Sequence, residues 1–455
     1  MVWLQQALRG TGNPVIEQAL WHANAIRLPV LVYHGLRQDY PHASGRIHGF
    51  ILRASRRLAV QCRARGIRVV QHVQRPERAE KGLVYRLAAD AAALYTDEHF
   101  AFIARSQSLS VARSGVCATF AVDASRLVPT RVMAAGLAST REFRAAHGPL
   151  RARWACSPAD ARAMHGPYAG SLPFVPDDLA DADDSSLDAL KAMCHIDQSL
   201  PLSLQHPASE LEVTNRLRAL NGIARGYART RNNPALPWGT SMLSPYLHFG
   251  VVSPHEVLAA CRGADDAQVG WKFVDELLTW REWAHYRART EPEIHRYSAL
   301  PPEVREDLES HADDEREPLP DWHALVHGET SDIVWNAAQR QWLATGWMHN
   351  NLRMYWATQL LRMTAHPQAA WSLGCYMNDR LSLDGRDPAS YASLRWAFGE
   401  GARGGRRPVY GRAPRKGTCA LMRRDGVPGW IEQANRVAVP RIDCSDLPSA
   451  LSMYA

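Results

Sequence analysis

The sequence predicts an α/β domain with a parallel sheet at the N-terminal end, followed by a larger domain built only of helices. Two β-branched runs, LPVLVYHGL (28–36) and IRVVQHV (67–73), are bounded by polar residues and separated by a helical stretch. Strands that alternate with helices in this way form βαβ units, which pair into a parallel sheet. From about residue 208 onward, apolar residues recur instead at spacings of three and four, which is the period of amphipathic helices.

The chain of 455 residues is long enough for two or three domains. We place the α/β domain over 1–130 and the helical domain over 208–455. Residues 131–207 are predicted to connect them, because the stretch PFVPDDLADADDSS (173–186) is acidic and contains prolines. The later stretch GARGGRRPVYGRAPRKG (401–417) is rich in glycine and arginine, which predicts a basic loop that is flexible or partly ordered.

The composition excludes several classes of protein. Hydrophobic residues make up 46% of the chain and charged residues 22%, which is typical of a globular protein and not of a disordered or fibrous one. No run approaches the length of a membrane span, and the N-terminal residues show no secretory pattern, so we expect a cytoplasmic protein. The eight cysteines lie far apart, so no metal site is expected.

The charge balance points weakly to an anionic partner. The formal net charge is +7, and only four lysines stand against 49 arginines. This bias fits phosphate binding, but a GC-rich genome also produces it, and the composition alone favours the second explanation.

The stretch GTSMLSPYLHFGVVSPHEV (239–257) is the first candidate binding site. Thr240, Ser241 and Ser244 cluster just before a helix that Pro245 could open. Backbone N–H groups and hydroxyl donors at a helix start bind anions such as a pyrophosphate. On the spacing alone, an ordinary Ser/Thr helix cap is the favoured interpretation.

Two further stretches carry unusual residues. WNAAQRQWLATGWMHNNLRMYW (335–356) is an aromatic-rich pair of amphipathic helices, and most tryptophans in such helices are core residues. MNDRLSLDGRDPASY (377–391) is a polar turn whose most notable charged residues fall within nine positions, which taken alone predicts a solvated, salt-bridged loop. These residues are Asp379, Asp384, Arg386 and Asp387.

In order along the chain, these motifs resemble the photolyase/cryptochrome flavoproteins, most closely the class II cyclobutane pyrimidine dimer photolyases. The pattern of that branch is WNAAQ…MH…RMYW…LND…LDGRDP, and TSxLSPYLHFG resembles its flavin-phosphate motif. RNNP (231–234) and FVDELLTWRE (273–282) also match in order. The resemblance spans essentially the whole chain. It implies a Rossmann-like antenna domain at the N-terminus and an all-α FAD-binding catalytic domain at the C-terminus.

The resemblance also implies which residues hold FAD. Residues expected at the phosphates and the ribityl chain are Tyr227, Thr240, Ser241, Leu243 and Ser244. Residues expected around the isoalloxazine are Asn350, Arg353 and Asp384, with Arg386 and Ala389 in the adjoining turn. A buried arginine there needs a carboxylate partner, and its charge stabilises an anionic reduced flavin.

Other matched positions imply roles towards the DNA lesion and in electron transfer. Glu276 is expected to hydrogen-bond the lesion and Trp280 to stack on it, and the four-residue spacing puts both on one helix face. Taken alone, Glu276 fits a surface salt bridge equally well. Met354 is expected to face the lesion pocket, while Trp335 and Trp356 match the tryptophans that relay electrons to the flavin.

The sequence departs from the class II pattern in four places. Ala389, or Ser390 if the register slips by one, stands where the motif has a flavin-facing Asn. Met363 replaces the outer relay tryptophan, and Leu394 occupies the position of the first tryptophan of the class I relay. The stretch after Trp396 reads GEGARGGRRP in place of DRPW, which supplies a second lesion-clamping tryptophan. The N-terminal pattern YWMxRxxRxxDN is degraded to VWLQQALRGTGNP.

The expected function is light-driven, FAD-dependent repair of cyclobutane pyrimidine dimers by a monomeric enzyme whose partner is DNA containing such dimers. The alternative is a cryptochrome-like blue-light receptor, which binds FAD without repairing DNA. A third interpretation is a flavoprotein that has the same flavin cavity but acts on a different small substrate. The residues leave open whether a second, light-harvesting antenna chromophore is bound.

Overall fold

A computed structural model describes residues 1–261 and 270–455, which form two compact units with interleaved segments. Unit 1 consists of residues 1–198, 206–221 and 243–286. Unit 2 consists of residues 199–205, 222–242 and 287–455. The proposed boundaries at residues 130 and 207 stay a prediction.

Unit 1 is built on a five-stranded, wholly parallel sheet with the strand order β3-β2-β1-β4-β5. The strands are β1 (Val2–Trp3), β2 (Leu31–Leu36), β3 (Arg68–Val73), β4 (Leu94–Asp97) and β5 (Thr119–Val122). Strands β2 and β3 pair from Leu31↔Arg68 to Leu36↔Val73, and they are the two runs that the sequence predicts. The predicted α/β fold with a parallel sheet is therefore confirmed.

Helices connect the strands and continue through the rest of unit 1. They are α1 (Pro14–Ala25), α2 (Gly45–Arg63), α3 (Leu83–Ala89), α4 (Phe102–Ser114), α5 (Thr140–His147), α6 (Arg151–Trp154), α7 (Asp184–Ala192), α8 (Glu210–Thr230), α9 (Ser244–His248), α10 (Pro254–Cys261), α11 (Trp271–Asp275) and α12 (Glu282–Thr290). Helix α1 begins after Asn13, whose side chain accepts a hydrogen bond from the Val15 N–H, and proline opens the first turn. Helices α8 and α12 end in residues of unit 2.

The carboxylate of Asp97 ties the end of β4 to the loop after β1. Its oxygens accept hydrogen bonds from three consecutive backbone N–H groups at 2.8 to 2.9 Å, those of Gln5, Gln6 and Ala7. The His99 imidazole lies 2.8 Å from the same carboxylate. Burial by itself would raise the pKa of Asp97, but His99 and the backbone donors outweigh it and lower the pKa to about 2.

The acidic stretch 173–186 lies within unit 1 and is paired there with arginines. The Asp177 N–H donates to the carbonyl of Gln71 in β3 at 2.8 Å, and its carboxylate binds the Arg75 guanidinium at 3.0 Å. Further along, Asp181 binds Arg63 at 2.7 Å. The stretch is therefore held along its length by charge pairing and by one backbone contact with the sheet.

Unit 2 is helical, as the sequence predicts. Its helices after α12 are α13 (Pro302–Glu309), α14 (Trp322–His327), α15 (Ile333–Thr345), α16 (Asn350–Met363), α17 (Pro367–Leu381), α18 (Pro388–Ala397), α19 (Thr418–Met422), α20 (Val427–Arg436) and α21 (Leu447–Ala450). In the part of the chain that the structure describes, no helix combines the length and apolar character that crossing a bilayer requires.

The basic stretch 401–417 is held against α13. Asp307 of that helix binds the Arg406 side chain at 2.6 Å and accepts a hydrogen bond from the Arg412 N–H at 2.7 Å. Gly411 has φ +53°, and a Cβ at that position would lie 2.3 Å from an Asp307 oxygen. This nearly buried carboxylate anchors the stretch, and only a glycine can approach it so closely.

We expect Asp97→Ala to destabilise the protein by about 3 kcal/mol, since it leaves three backbone donors without their acceptor. Because the folded pKa is lowered, the stabilisation by the carboxylate is complete above about pH 4 and disappears as the pH falls through about 2. Urea unfolding of both proteins as a function of pH measures the difference. Asp90→Ala, at an exposed aspartate, is the control and should stay within about 0.5 kcal/mol of wild type.

Candidate flavin site

Helix α16 carries the central residues of the candidate site. It begins after His349, whose Nδ1 accepts a hydrogen bond from the Asn351 N–H at 3.1 Å and so caps the first turn. One turn into the helix, Arg353 points to the turn 382–387. One turn further, Trp356 is fully buried.

Arg353 forms a buried ion pair with Asp384. Its Nη2 donates to Asp384 Oδ1 at 2.9 Å and to Ser382 Oγ at 3.1 Å, and the Ser382 hydroxyl also donates to Asp384. Both charged side chains are more than nine-tenths buried. The predicted pairing is thus present, and the serine hydroxyl supplies the extra hydrogen bond that a buried carboxylate requires.

Two buried polar atoms beside this pair have no hydrogen-bond partner in the protein, and they test the fit to a flavin. One is Nε of Arg353, a donor, and the other is Oδ1 of Asn378, an acceptor. The Asn378 amide nitrogen is occupied by Asp379 and Ser390, both at 3.0 Å, which fixes the orientation of the side chain. Since the edge of an isoalloxazine alternates donors and acceptors, these residues fit that group.

Three tryptophans form one contiguous group behind Arg353. Trp335 and Trp356 lie face to face with ring centroids 5.8 Å apart and planes inclined by 10°, and both are fully buried. Trp342 meets Trp356 edge-on at 5.1 Å. The Arg353 guanidinium lies 5.5 Å from the centroid of the Trp342 ring.

Hydrogen bonds fix both indoles of the stacked pair. Trp335 Nε1 donates to the backbone carbonyl of Trp356 at 3.0 Å, and Trp356 Nε1 donates to Gln339 Oε1 at 2.9 Å. Gly374 of α17 makes room for this packing, since a Cβ there would lie 3.2 Å from Leu360 and 4.0 Å from Trp356. The pair therefore sits in a dry, closely packed layer between α15, α16 and α17.

The start of α16 is strongly electropositive. Burial, followed by the charges of Arg424, Arg231 and Lys416, lowers the pKa of His349 to about 3. Burial and the same two arginines lower the pKa of Lys416 to about 8, and its ammonium lies 5.4 Å over the Trp396 ring. Three cations around a neutral histidine form a site that favours an anion.

The remaining residues predicted around the flavin have different environments. Asn350 is exposed and accepts a hydrogen bond from Ser393 at 3.4 Å. Ala389 is half-buried in the first turn of α18, which Asp387 caps. Arg386 adopts a left-handed backbone conformation with φ +63°. Met354 is half-buried.

The residues predicted at the flavin phosphates are divided between the two units. Tyr227, Thr240 and Ser241 belong to unit 2, and the Arg231 guanidinium lies 5.5 Å over the Tyr227 ring. Leu243 and Ser244 belong to unit 1. The helix expected to begin here is α9, which is only five residues long and has Pro245 at its second position. So short a helix adds little dipole, and an anion here would depend on hydroxyl and backbone donors.

Glu276 and Trp280 lie in unit 1 on a π-helical turn, Glu276–Arg281, between α11 and α12. The backbone here is π-helical and not α-helical, so this turn takes in one extra residue. The roles of Glu276 and Trp280 stay predictions. Trp280 is 41% exposed, and Glu276 binds Lys272 at 2.8 Å. Insertions of this kind are frequent at functional sites.

The α/β unit also contains a cleft at the carboxyl ends of its strands. Trp3, Tyr33 and His72 line it together with Glu80 and Lys81, and its volume is about 100 Å³. Ligands of such open sheets bind at this edge. The cleft is smaller than the roughly 300–1,000 Å³ of pockets that enclose a flavin-sized molecule.

Residues 273–407 match the sequence model of a family described as the FAD binding domain of DNA photolyase. The chain is similar to proteins of the photolyase/cryptochrome family over most of its length. This confirms the family that the motifs indicate and FAD as the cofactor. The assignment to class II and the roles of the individual site residues stay predictions.

Similarity to relatives extends over most of the chain. The sequence is 27% identical to a deoxyribodipyrimidine photo-lyase of Methanothermobacter thermautotrophicus over 445 residues, or 95% of this chain and 93% of that protein. The fold is similar to that of a class III photolyase from Agrobacterium tumefaciens, with a TM-score of 0.66 at 18% identity over 95% of this chain and 85% of that one. The fold is also similar to that of a Synechocystis cryptochrome, with a TM-score of 0.64 at 15% identity over 100% of this chain and 87% of that one.

Three residues of the site were missed in the sequence. Asn378 lies in the MNDR segment, where its position in the motif was visible but its buried, unpaired oxygen was not. Trp342 lies seven residues after Trp335, two helical turns along the same face. Lys416 is one of four lysines in an arginine-rich chain, and nothing in its neighbours predicts that it is half-buried.

We expect Arg353→Ala to destabilise unit 2 by about 3–5 kcal/mol, because it leaves the Asp384 carboxylate buried without its cation. Guanidinium unfolding of flavin-free protein measures this effect independently of cofactor loss. Arg436→Ala removes an arginine whose side chain is 82% exposed and should change the free energy of unfolding by less than about 0.5 kcal/mol. Equal stability of the Arg353 variant and wild type would contradict the importance of the pair.

Proposed function

We propose that this protein is a photolyase of the class II type, which uses light and reduced FAD to repair cyclobutane pyrimidine dimers in DNA. The observation that carries the proposal is the continuous path of buried groups in unit 2, from Trp335 through Trp356 and Trp342 to Arg353. Such a path has little use in a protein that only binds a nucleotide, whereas light-driven electron transfer needs closely packed aromatic rings.

Arg353, Asp384 and Asn378 would hold the isoalloxazine. The FAD, when bound, supplies the photochemistry by giving an electron to the dimer on excitation. Arg353 contributes a fixed positive charge, and Asp384 with Ser382 prevents that charge from moving. The surrounding indoles exclude water, so the charge acts in a medium of low polarity, where its effect is large.

Asn378 supplies the amide that Ala389 lacks. The motif comparison leaves a methyl group where an amide is expected, but the unpaired Oδ1 of Asn378 lies beside the same turn. A Cβ on Gly385 would lie 2.5 Å from the Asn378 carbonyl, which shows how closely this helix end approaches the turn. The Oδ1 of Asn378 is a hydrogen-bond acceptor, so it favours a protonated nitrogen on the edge of the flavin.

The π-turn of unit 1 is proposed to recognise the flipped dimer. The Trp280 ring offers an exposed stacking surface, and the Glu276 carboxylate accepts hydrogen bonds from the N–H groups of a pyrimidine edge. Met354 remains a proposed lesion contact. The cations Arg231, Lys416 and Arg424 are proposed to neutralise phosphates, together with exposed arginines of the stretch 401–417.

A repair assay tests the proposal. Protein with chemically reduced FAD is illuminated with blue light in the presence of an oligonucleotide containing one cyclobutane dimer, and restored pyrimidines are measured. A second oligonucleotide carries a (6-4) lesion, and both are repeated in the dark. Repair of the cyclobutane dimer in light alone is expected. Retained, reduced FAD without any repair would overturn the proposal and favour the receptor alternative.

Glu276→Gln should lower the repair yield on the order of tenfold or more, because a charged hydrogen bond to the lesion is lost while flavin binding is unaffected. Repair per bound FAD, measured under limiting light, separates the two effects. The neighbouring Asp275→Asn is the matched control, since Asp275 is already engaged by Arg144 at 3.0 Å. Equal losses in both variants would argue for a general effect on the π-turn.

Asn378→Ala should weaken FAD retention roughly fivefold, through the loss of one hydrogen bond of about 1 kcal/mol. It should also change the absorption spectrum of the flavin that accumulates under light. Ser390→Ala removes a partner of the same side chain without touching the unpaired oxygen, so it should leave the spectrum unchanged. If Ala389→Asn altered the flavin spectrum and Asn378→Ala did not, position 389 and not Asn378 would be the residue that contacts the flavin edge.

A further inference from the structure

The relay pair Trp335 and Trp356 ends in the protein interior. Both rings are fully buried, and Met363, where an outer tryptophan is expected, is buried as well. The indole N–H groups donate to a backbone carbonyl and to the Gln339 amide, and neither acceptor takes up a proton near neutral pH. An oxidised indole here therefore stays a cation with no route for its charge, unless another donor follows.

Asp332 connects the relay to a tyrosine. Its Oδ1 caps α15 and accepts a hydrogen bond from the Trp335 N–H at 3.0 Å, while its Oδ2 accepts from the Tyr355 hydroxyl at 2.5 Å. Tyr355 precedes Trp356, whose carbonyl holds the Trp335 indole. Tyr355 is thus linked to Trp335 in two ways. Asp332 binds both the tyrosine hydroxyl and the Trp335 backbone N–H, and the Trp335 indole N–H binds the carbonyl of the residue after Tyr355.

Tyr355 is fully buried, but its hydroxyl contacts a residue that is partly exposed. It contacts the Thr418 hydroxyl at 2.8 Å, and that residue is half-exposed. The Asp332 carboxylate also binds Arg362 at 2.8 Å, and Arg362 binds the exposed Glu317 at 3.1 Å. Asp332 can therefore accept a proton while Arg362 keeps a carboxylate partner.

We propose that Tyr355 is the terminal electron donor of the relay, with Asp332 as the acceptor of its proton. Trp356 gives an electron to the light-excited, oxidised flavin, and Trp335 refills Trp356. Tyr355 then reduces the Trp335 radical cation. Its O–H bond breaks, an O–H bond forms on Asp332 Oδ2, and the products are a neutral tyrosyl radical and neutral indole and carboxylic acid groups. The inference rests on the proposed function, since it needs a flavin that oxidises Trp356.

Proton transfer is what makes the tyrosine a suitable end point. Burial and the neighbouring Asp332 raise the pKa of the Tyr355 hydroxyl well above its usual range, so it is protonated before the reaction. The phenol can lose an electron easily only if its proton leaves at the same time, and the short hydrogen bond provides that path. The neutral radical then no longer attracts the electron on the flavin, which slows charge recombination.

Electron paramagnetic resonance of the illuminated, oxidised holoprotein tests this assignment. Protein is prepared with ring-deuterated tyrosine or with ring-deuterated tryptophan, and the trapped radical is recorded. The expected signal narrows with deuterated tyrosine. Tyr355→Phe and Asp332→Asn should both lose this component, although the asparagine keeps the cap of α15. Tyr410→Phe, at another buried tyrosine of unit 2, should retain it.

The outcomes separate this proposal from the proposed function. A wild-type signal that narrows only with deuterated tryptophan, or a tyrosine component that survives in Tyr355→Phe, overturns the assignment. Should Tyr355→Phe fail to fold, the labelled wild type and Asp332→Asn still decide it. Repair by chemically reduced protein does not use the relay, so its loss would contradict the proposed function alone.

Discussion

The ion pair between Arg353 and Asp384 holds together the elements on which the candidate site depends. Burying a guanidinium is costly unless every donor is matched, and here Asp384 and Ser382 match one nitrogen while Nε has no partner within the protein. The pair joins α16 to the turn between α17 and α18. It thereby sets the position of Trp342 against Arg353, and of Trp356 one turn further along α16.

The sequence predicts the architecture well, because periodicity records which side of each element is buried. Strands β2 and β3 appear as β-branched runs, whereas β1 has only two residues and gives no periodic signal. The sequence also brings together Arg353 with Asp384 and Trp335 with Trp356, because motif order was sufficient to pair them. These contacts are present in the structure.

Other features depend on long-range contacts that spacing does not record. The π-turn at Glu276–Arg281 leaves no mark in the spacing of Glu276 and Trp280, so only the backbone distinguishes it from an α-helix. The anchoring of 401–417 needs Asp307, about a hundred residues earlier in the chain. The proposed contact of Asn378 with the flavin rests on its buried Oδ1, which has no hydrogen-bond partner in the protein. A sequence does not show which buried atoms lack a partner.

The replacements in the relay region are consistent with one packing solution. Leu394 lies 3.7 Å from the position a Cβ would take on Gly374, and Met363 is buried at the end of α16. Both positions thus hold flexible or branched aliphatic side chains in a full core, where an indole would require the neighbouring helices to move apart.

The interleaving of the two units affects the order in which the chain can fold during synthesis. Residues 222–242 belong to unit 2, but the 44 residues from 243 to 286 that follow them belong to unit 1. At roughly 5–20 residues per second, the early segment of unit 2 waits several seconds before its partners from 287 onward begin to leave the ribosome. During that interval its apolar side chains have no core to enter, so newly made chains depend on prompt completion or on chaperone protection.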